Sequence, residues 1–329
     1  MPIDALEIFN VSVINRDVVQ LFTSMPNFLG MKICPPQPHY SPIASWEVVE
    51  GTQTIGEPAG FGGKSNGENL NKRYLKTASP IPLNSHKLIP ADQLMLLSYP
   101  GTPTAVNAQK KIILELNTLD IKQQRLIEKY IWEMIITGAL SISTPNYSVT
   151  VDYGLPASHK ITVGVNWTDA LCTPALDVEA AKQLIVEDSG VEANVAFCNA
   201  TTMAVIYNYV TNIFAILSDQ QKQEFTSTSK IKNLWDLDWT TYRLGYKTTD
   251  TGAYTKFIPD GYIVIMSTDF NPIHLADCLV PDTKCPEMTP GRFAKTWDEE
   301  DPSGKMMNLK HPCIPVAERP INWVVLKVF

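Results

Sequence analysis

The chain has 329 residues, 44% of them hydrophobic and 19% charged, with a formal net charge of −7. That is enough apolar material for a sizeable core split over two lobes, and the acidic balance excludes a chain that binds nucleic acid by bulk electrostatics. No apolar run is long enough to span a bilayer, Met1-Pro-Ile-Asp-Ala-Leu-Glu7 lacks the basic and apolar regions of a signal peptide, and six cysteines suit reduced thiols rather than a disulfide scaffold.

Residues 1–42 read as an arm. Apolar residues from Leu6 to Phe22 allow one short helix or strand. Pro35, Pro36, Pro38 and Pro42 then force extended backbone. An arm with so little to pack on is expected to lie across another lobe or subunit. Residues 43–97 read as a protruding hairpin, with a strand over 43–55, a polar loop over 56–76, and a returning strand or strand pair over 79–97. Loops of that length are uncommon and usually functional. Inside it, Gly62-Gly63-Lys64-Ser65 imitates the end of a phosphate-binding loop. Pro58 stands where the pattern needs glycine, and Asn66-Gly67-Glu68-Asn69 would break the helix that should follow.

Between Pro103 and Gly138 there is neither glycine nor proline. Ile112, Leu116, Leu119, Ile127, Tyr130, Ile131 and Met134 recur at threes and fours, and Lys110, Lys111, Glu115, Lys122, Arg125, Glu128, Lys129 and Glu133 fill the gaps. The pattern predicts one helix of up to about 50 Å, a spine expected to bend or break at Asn117-Thr118. Its stripe of Ile112, Leu116, Leu119, Ile127 and Ile131 is expected to bury against the subunit's own sheet. Tyr147–Gly154 alternates as a strand. From Asp177 onward helices (177–186, 199–217) alternate with strands (191–198, 242–246, 253–258, 262–267), which predicts an α/β lobe. The apolar end, Ile321–Phe329, reads as a buried strand expected to pair with the strand after the spine, closing the first lobe around an inserted second one.

No stretch carries a convincing site. His274, Cys278, Cys285, His311 and Cys313 are zinc-ligand types, but there is no Cys-x-x-Cys, and His311-Pro-Cys313 is tight for tetrahedral closure. Asp298-Glu-Glu-Asp301 reads as a solvated acidic turn, lacking the oxygen spacing of a calcium loop. Trp235-Asp-Leu-Asp-Trp239 has no repeat period behind it. Neither a Gly-x-Ser-x-Gly elbow nor a glycine-rich dinucleotide turn is present. No catalytic, cofactor-binding or metal-binding residue is expected, and the chain reads as structural or binding.

The order of parts resembles the HK97-like fold of tailed-phage major capsid proteins, and more specifically the lambda-type major head protein E family. The strings that carry the likeness are His86 to Pro90, Tyr147-Ser-Val-Thr-Val-Asp-Tyr-Gly154, Asn166-Trp167-Thr-Asp169 followed by Asp177-Val-Glu-Ala180, and Phe257-Ile-Pro-Asp260 followed by Tyr262-Ile-Val-Ile265. The resemblance covers residues 40–329. It implies an α+β fold with an N-terminal arm (1–42), an E-loop hairpin (43–97), a P-domain with the spine helix (98–170), an α/β A-domain (171–290) and a return to the P-domain (291–329). It also implies intersubunit contacts through Gly60, Phe61, Gly63, Lys64, Lys72 and Arg73 of the E-loop and Pro35, Pro36 and Pro38 of the arm. The spine's charged face would line the shell interior or a subunit seam. Copies would assemble through hexamers and pentamers into an icosahedral shell around the genome. Scaffold, portal and decoration proteins would be partners, with non-specific contact to packaged double-stranded DNA and none to a membrane. Assembly would take place in the host bacterial cytoplasm, and the chain would reside in the virion capsid. An encapsulin-like compartment is the alternative within the fold. A hydrolase or nucleotide-binding enzyme with an unrecognised site is the alternative from another class.

Overall fold

The computed structural model describes residues 28–49, 73–96, 105–145, 147–169, 171–213, 223, 230–282 and 289–329. The short helix α1 (Leu29–Ile33) is followed by β1 (Pro36–Pro38), β2 (Ala44–Val49), β3 (Arg73–Ala78) and β4 (Ile81–Pro90). Helix α2 (Ala91–Leu96) precedes the spine, α3 (Ala105–Thr137), and a hairpin of β5 (Ala139–Thr144) and β6 (Tyr147–Asp152). Next come β7 (Lys160–Thr162), α4 (Pro174–Ser189), β8 (Val195–Cys198) and α5 (Ala200–Asn208). Strands β9 (Lys230–Leu234), β10 (Leu237–Thr241), β11 (Gly245–Lys247), β12 (Tyr254–Lys256) and β13 (Tyr262–Met266) lead to β14 (Ile273–Asp277), β15 (Phe293–Glu299), β16 (Gly304–Ala317) and β17 (Trp323–Lys327).

Two large sheets organise the chain. In the first, β16 is long enough to carry β15 and then β14 along one edge and β4 along the other, with β1 added parallel outside β14. The second runs β7-β17-β13-β8-β10-β9. β8 and β13 are apolar at every position, as is β17 up to Lys327, and these strands bury both faces. Val264, Met266, Trp323 and Val325 point into the core shared with the spine, while Ile263, Ile265, Val324 and Leu326 point into a second core with α4 and α5. Full burial of one such side chain stabilises by about 1.5–3 kcal/mol, so this two-sided sheet welds the spine to the α/β lobe.

Several expectations change. The last strand does not pair with the strand after the spine: β17 lies between β13 and β7 in the second sheet. A strand buried on both faces needs a sheet covered on both faces, whereas the β5–β6 hairpin leaves Ser141, Ser143, Ser148 and Thr150 exposed. The hairpin's returning limb is β3, in register with β2 from Arg73↔Val49 to Ala78↔Ala44. β4 leaves it after Pro80 and pairs with β16 over ten positions from Ile81 to Pro90. Strand β14, placed by sequence within 171–290, belongs to the first sheet. Of the strand expected over 242–246 only Gly245 and Tyr246 are strand, at the start of β11; residues 242–244 link it to β10, which ends at Thr241. The spine does not break at Asn117-Thr118. It is one helix of 33 residues, and the Thr118 hydroxyl donates to Leu114 O at 3.0 Å inside it. Gly138 ends it, donating its N–H to Met134 O at 2.8 Å with φ +69°. A Cβ there would lie 2.5 Å from Leu155 Cβ.

Candidate interlock and assembly surfaces

The spine buries its stripe in two places. Ile112, Leu116 and Leu119 pack with Ile89, Ala294, Met307 and Leu309. Ile127 and Ile131 join the main core. Between and beside them Asp120, Gln123, Gln124 and Glu128 are equally buried. Buried polar groups need partners; each of these side chains has at least one, although Asp120 Oδ1, Gln123 Oε1 and Gln124 Oε1 accept no hydrogen bond. Gln123 Nε2 donates to Leu309 O and to Ser85 Oγ, each at 3.0 Å. Gln124 donates to Asp120, whose other oxygen lies 3.3 Å from Arg292 Nε. Burial pushes the Asp120 carboxyl above its ordinary range, opposed by the charge of Arg292.

Glu128 is the centre of this seam. Its Oε1 accepts from Gly30 N at 2.7 Å, Trp132 Nε1 at 2.8 Å and the Tyr242 hydroxyl at 2.6 Å, and its Oε2 accepts from Met31 N at 3.0 Å. One side chain thus joins α1, the spine and the segment following β10. Burial raises the Glu128 pKa, and the four donors work against that rise. The Tyr242 phenol is pushed strongly upward by burial and by the adjacent carboxylate, so it stays a donor. Gly30 is required by close approach, since a Cβ there would fall 2.7 Å from Glu128 Oε2. Sequence alone put Glu128 on the charged face. The readable signal was the run 116, 120, 124, 128, each one helical turn from the next and ending one turn before Trp132.

The predicted contact residues fall into three groups. Gly60, Phe61, Gly63, Lys64 and Lys72 lie outside the described residues. Arg73 sits at the described root of the hairpin, exposed, 3.0 Å from Glu47. Pro36 and Pro38 form the edge strand of the chain's own sheet, with Pro35 O accepting from Leu275 N and His39 N donating to Asp277 O. Proline is tolerated at such an edge, and Pro36 and Pro38 remain exposed. Below the root, Trp46 stacks on Tyr153 at 6.0 Å, and the Tyr153 hydroxyl donates to Pro315 O at 2.7 Å. Lys76 Nζ donates to Asp152 O at 2.8 Å, tying the root to the end of β6. On β3 Tyr74 and Leu75 are 50% and 70% exposed, and in the segment leading into β2 Tyr40 and Ile43 are 77% and 51% exposed.

Two of the sequence strings acquire a physical meaning. Trp167 Nε1 donates to Asp177 Oδ2 at 2.8 Å, clamping the loop onto the first turn of α4. Asn199 caps α5 through Thr202 N and donates to Ile258 O and Asp260 Oδ1. Of the metal-ligand types, His311 and Cys313 meet Asp277 rather than His274, their ligand atoms lying within 4.8 Å of one another. His311 Nε2 is 2.9 Å from Asp277 Oδ1. Burial pushes the Cys313 thiol well up, which favours a neutral thiol in a packed sheet. His274 faces Glu318 at 3.3 Å, and Cys285 lies outside the described residues.

The sequence profile of phage major capsid protein E matches residues 14–328. A protein assigned as the capsid protein of a prophage of Escherichia coli CFT073 superposes with TM-score 0.68 at 16% identity, covering 100% of both chains. The capsid of cyanophage P-SCSP1u gives TM-score 0.52 at 12% identity, covering 90% of this chain and 86% of that one. The SrpI encapsulin of Synechococcus elongatus PCC 7942 gives 0.52 at 8% identity, covering 93% and 88%. At such identities these likenesses establish the α+β, HK97-like fold. No curated protein sequence matches the chain.

Proposed function

The chain belongs to the phage major capsid protein E family, and from that premise we propose how this shell subunit assembles. As a tailed-phage capsid protein it forms the shell by binding copies of itself. In the proposed arrangement the copies meet as hexamers and pentamers in an icosahedral lattice, where identical surfaces serve closely similar contacts. The α/β lobe around α4 and α5 faces the fivefold and sixfold axes as the A-domain, and the first sheet with the spine forms the P-domain. The hairpin above β2 and β3 reaches over a neighbour as the E-loop, using Gly60, Phe61, Gly63, Lys64, Lys72 and Arg73, while Pro35, Pro36 and Pro38 present the arm's edge to another. A scaffold, a portal and a decoration protein complete the partner set. The packaged double-stranded DNA touches the inner surface without sequence preference, and assembly takes place in the host cytoplasm. The role is structural, with no reaction catalysed.

One observation carries this reading. The subunit is internally interlocked through Glu128 and the shared core, yet exposes Tyr74 and Leu75 on β3 of the hairpin and Ile43 at its entry. Exposed apolar groups on a protruding element mark a contact surface. Negative-stain microscopy of the expressed chain tests it. Class averages with fivefold and sixfold symmetry are expected, and Leu75→Asp with Tyr74→Asp should abolish them while leaving thermal stability nearly unchanged. Symmetric particles that persist in that double variant contradict the role given to the hairpin root.

A further inference from the structure

A groove of about 790 Å³ runs between the spine and the β11–β12 ribbon, with Phe28 on its lining. Lys122, Arg125 and Lys129 stand on the spine wall at helical spacing, and Lys247 on the ribbon wall. Lys129 Nζ is held 5.7 Å from the Tyr246 ring centroid. Among the described residues Lys122, Arg125 and Lys247 form no ion pair, and Asp250 is the single acidic residue of the lining. Leu126, Leu244 and Tyr254 line the same groove and are 36%, 39% and 53% exposed. Four cations around an open apolar strip are out of character for a chain of net charge −7.

The shape and chemistry select the occupant. A nucleic-acid duplex is polar over its outer surface and has nothing to place against Leu126 and Leu244. An acidic peptide with apolar side chains satisfies both halves of the lining. The chain carries such a stretch: Ile3-Asp4-Ala5-Leu6-Glu7-Ile8-Phe9 has two carboxylates and five apolar residues. The described structure begins at Phe28, on the groove itself. The nineteen intervening steps could span about 60 Å at full extension, at about 3.3 Å per residue, so length is no obstacle to seating in the same copy or a neighbouring one. We propose that this groove is the docking site of the chain's own N-terminal stretch Ile3–Phe9, Asp4 and Glu7 meeting the lysines and arginine and Leu6 and Phe9 covering the apolar strip. The proposal is independent of the shell geometry described above.

The test uses the full-length chain with Leu6→Cys and Leu126→Cys together, oxidised with glutathione disulfide and run on non-reducing gels. A reducible cross-link that needs both new cysteines is expected, its mobility reporting whether the stretch comes from the same copy or a neighbour. Adding Lys122→Glu and Arg125→Glu should lower its yield at least fivefold, and adding Asp4→Lys and Glu7→Lys to that background should restore it. No cross-link above the single-cysteine variants overturns the proposal. So does a cross-link indifferent to charge reversal.

Discussion

Between Asp120 and Tyr130 the spine presents two faces that differ in kind. On the inner face Asp120, Gln123, Gln124 and Glu128 are buried, each with a hydrogen-bond or charge partner. On the outer face, one or two residues away, Lys122 and Arg125 are exposed and make no ion pair among the described residues. Both faces are polar, so composition alone does not separate them. What separates them is satisfaction. A buried carboxylate with four donors fixes one arrangement of the subunit, because every donor is stranded if it leaves. An exposed cation commits the fold to nothing and remains available to a partner.

Removing the inner anchor should have the largest effect. Glu128→Ala strands Gly30 N, Met31 N, Trp132 Nε1 and the Tyr242 hydroxyl, and should cost about 3–5 kcal/mol, read by chemical denaturation. Gly30→Ala should cost less, about 1–3 kcal/mol, because the new methyl meets the Glu128 carboxylate at 2.7 Å and α1 must shift to relieve it. A smaller change is expected in the pH dependence of Glu128→Gln. Burial holds the Glu128 pKa above its ordinary 4.5, so the folded state binds that proton more readily than the unfolded chain. Its contribution is therefore greatest at and below 4.5 and is lost as pH rises through the raised folded value. The variant should show a shallower fall of stability over that window, and an unchanged slope would mean Glu128 does not titrate there. Asp120 is shifted in the same direction and should retain a residual slope. Least affected should be Lys122→Glu with Arg125→Glu, whose melting temperature should stay within about 2 °C of the parent. A large drop would show that the outer face also serves the fold.

The contrast also explains what could be read from the sequence. The spine was legible because thirty-odd residues without Gly or Pro keep one apolar period, and its stop at Gly138 needs only a left-handed residue. The Trp167–Asp177 contact joins residues of strings that marked the family resemblance, and Asp260, the partner of Asn199, lies in another. Glu128 was hidden because a charged residue looks the same whether water or four donors surround it. The partner of β17 was hidden for a different reason. Trp323–Lys327 announces burial on both faces but not which sheet supplies it, and pairing with Tyr262–Met266 spans some sixty residues of intervening chain. The hairpin's return limb was misplaced because β3 is mostly exposed and polar, leaving β4 with the stronger strand pattern.

The central claim is that this is a self-assembling shell subunit, and sedimentation velocity of the purified full-length chain, alone and after co-expression with phage head-assembly partners, tests it most directly. The account predicts discrete hexamer-sized, pentamer-sized or megadalton boundaries. A single boundary at the mass of one chain under both conditions would contradict it.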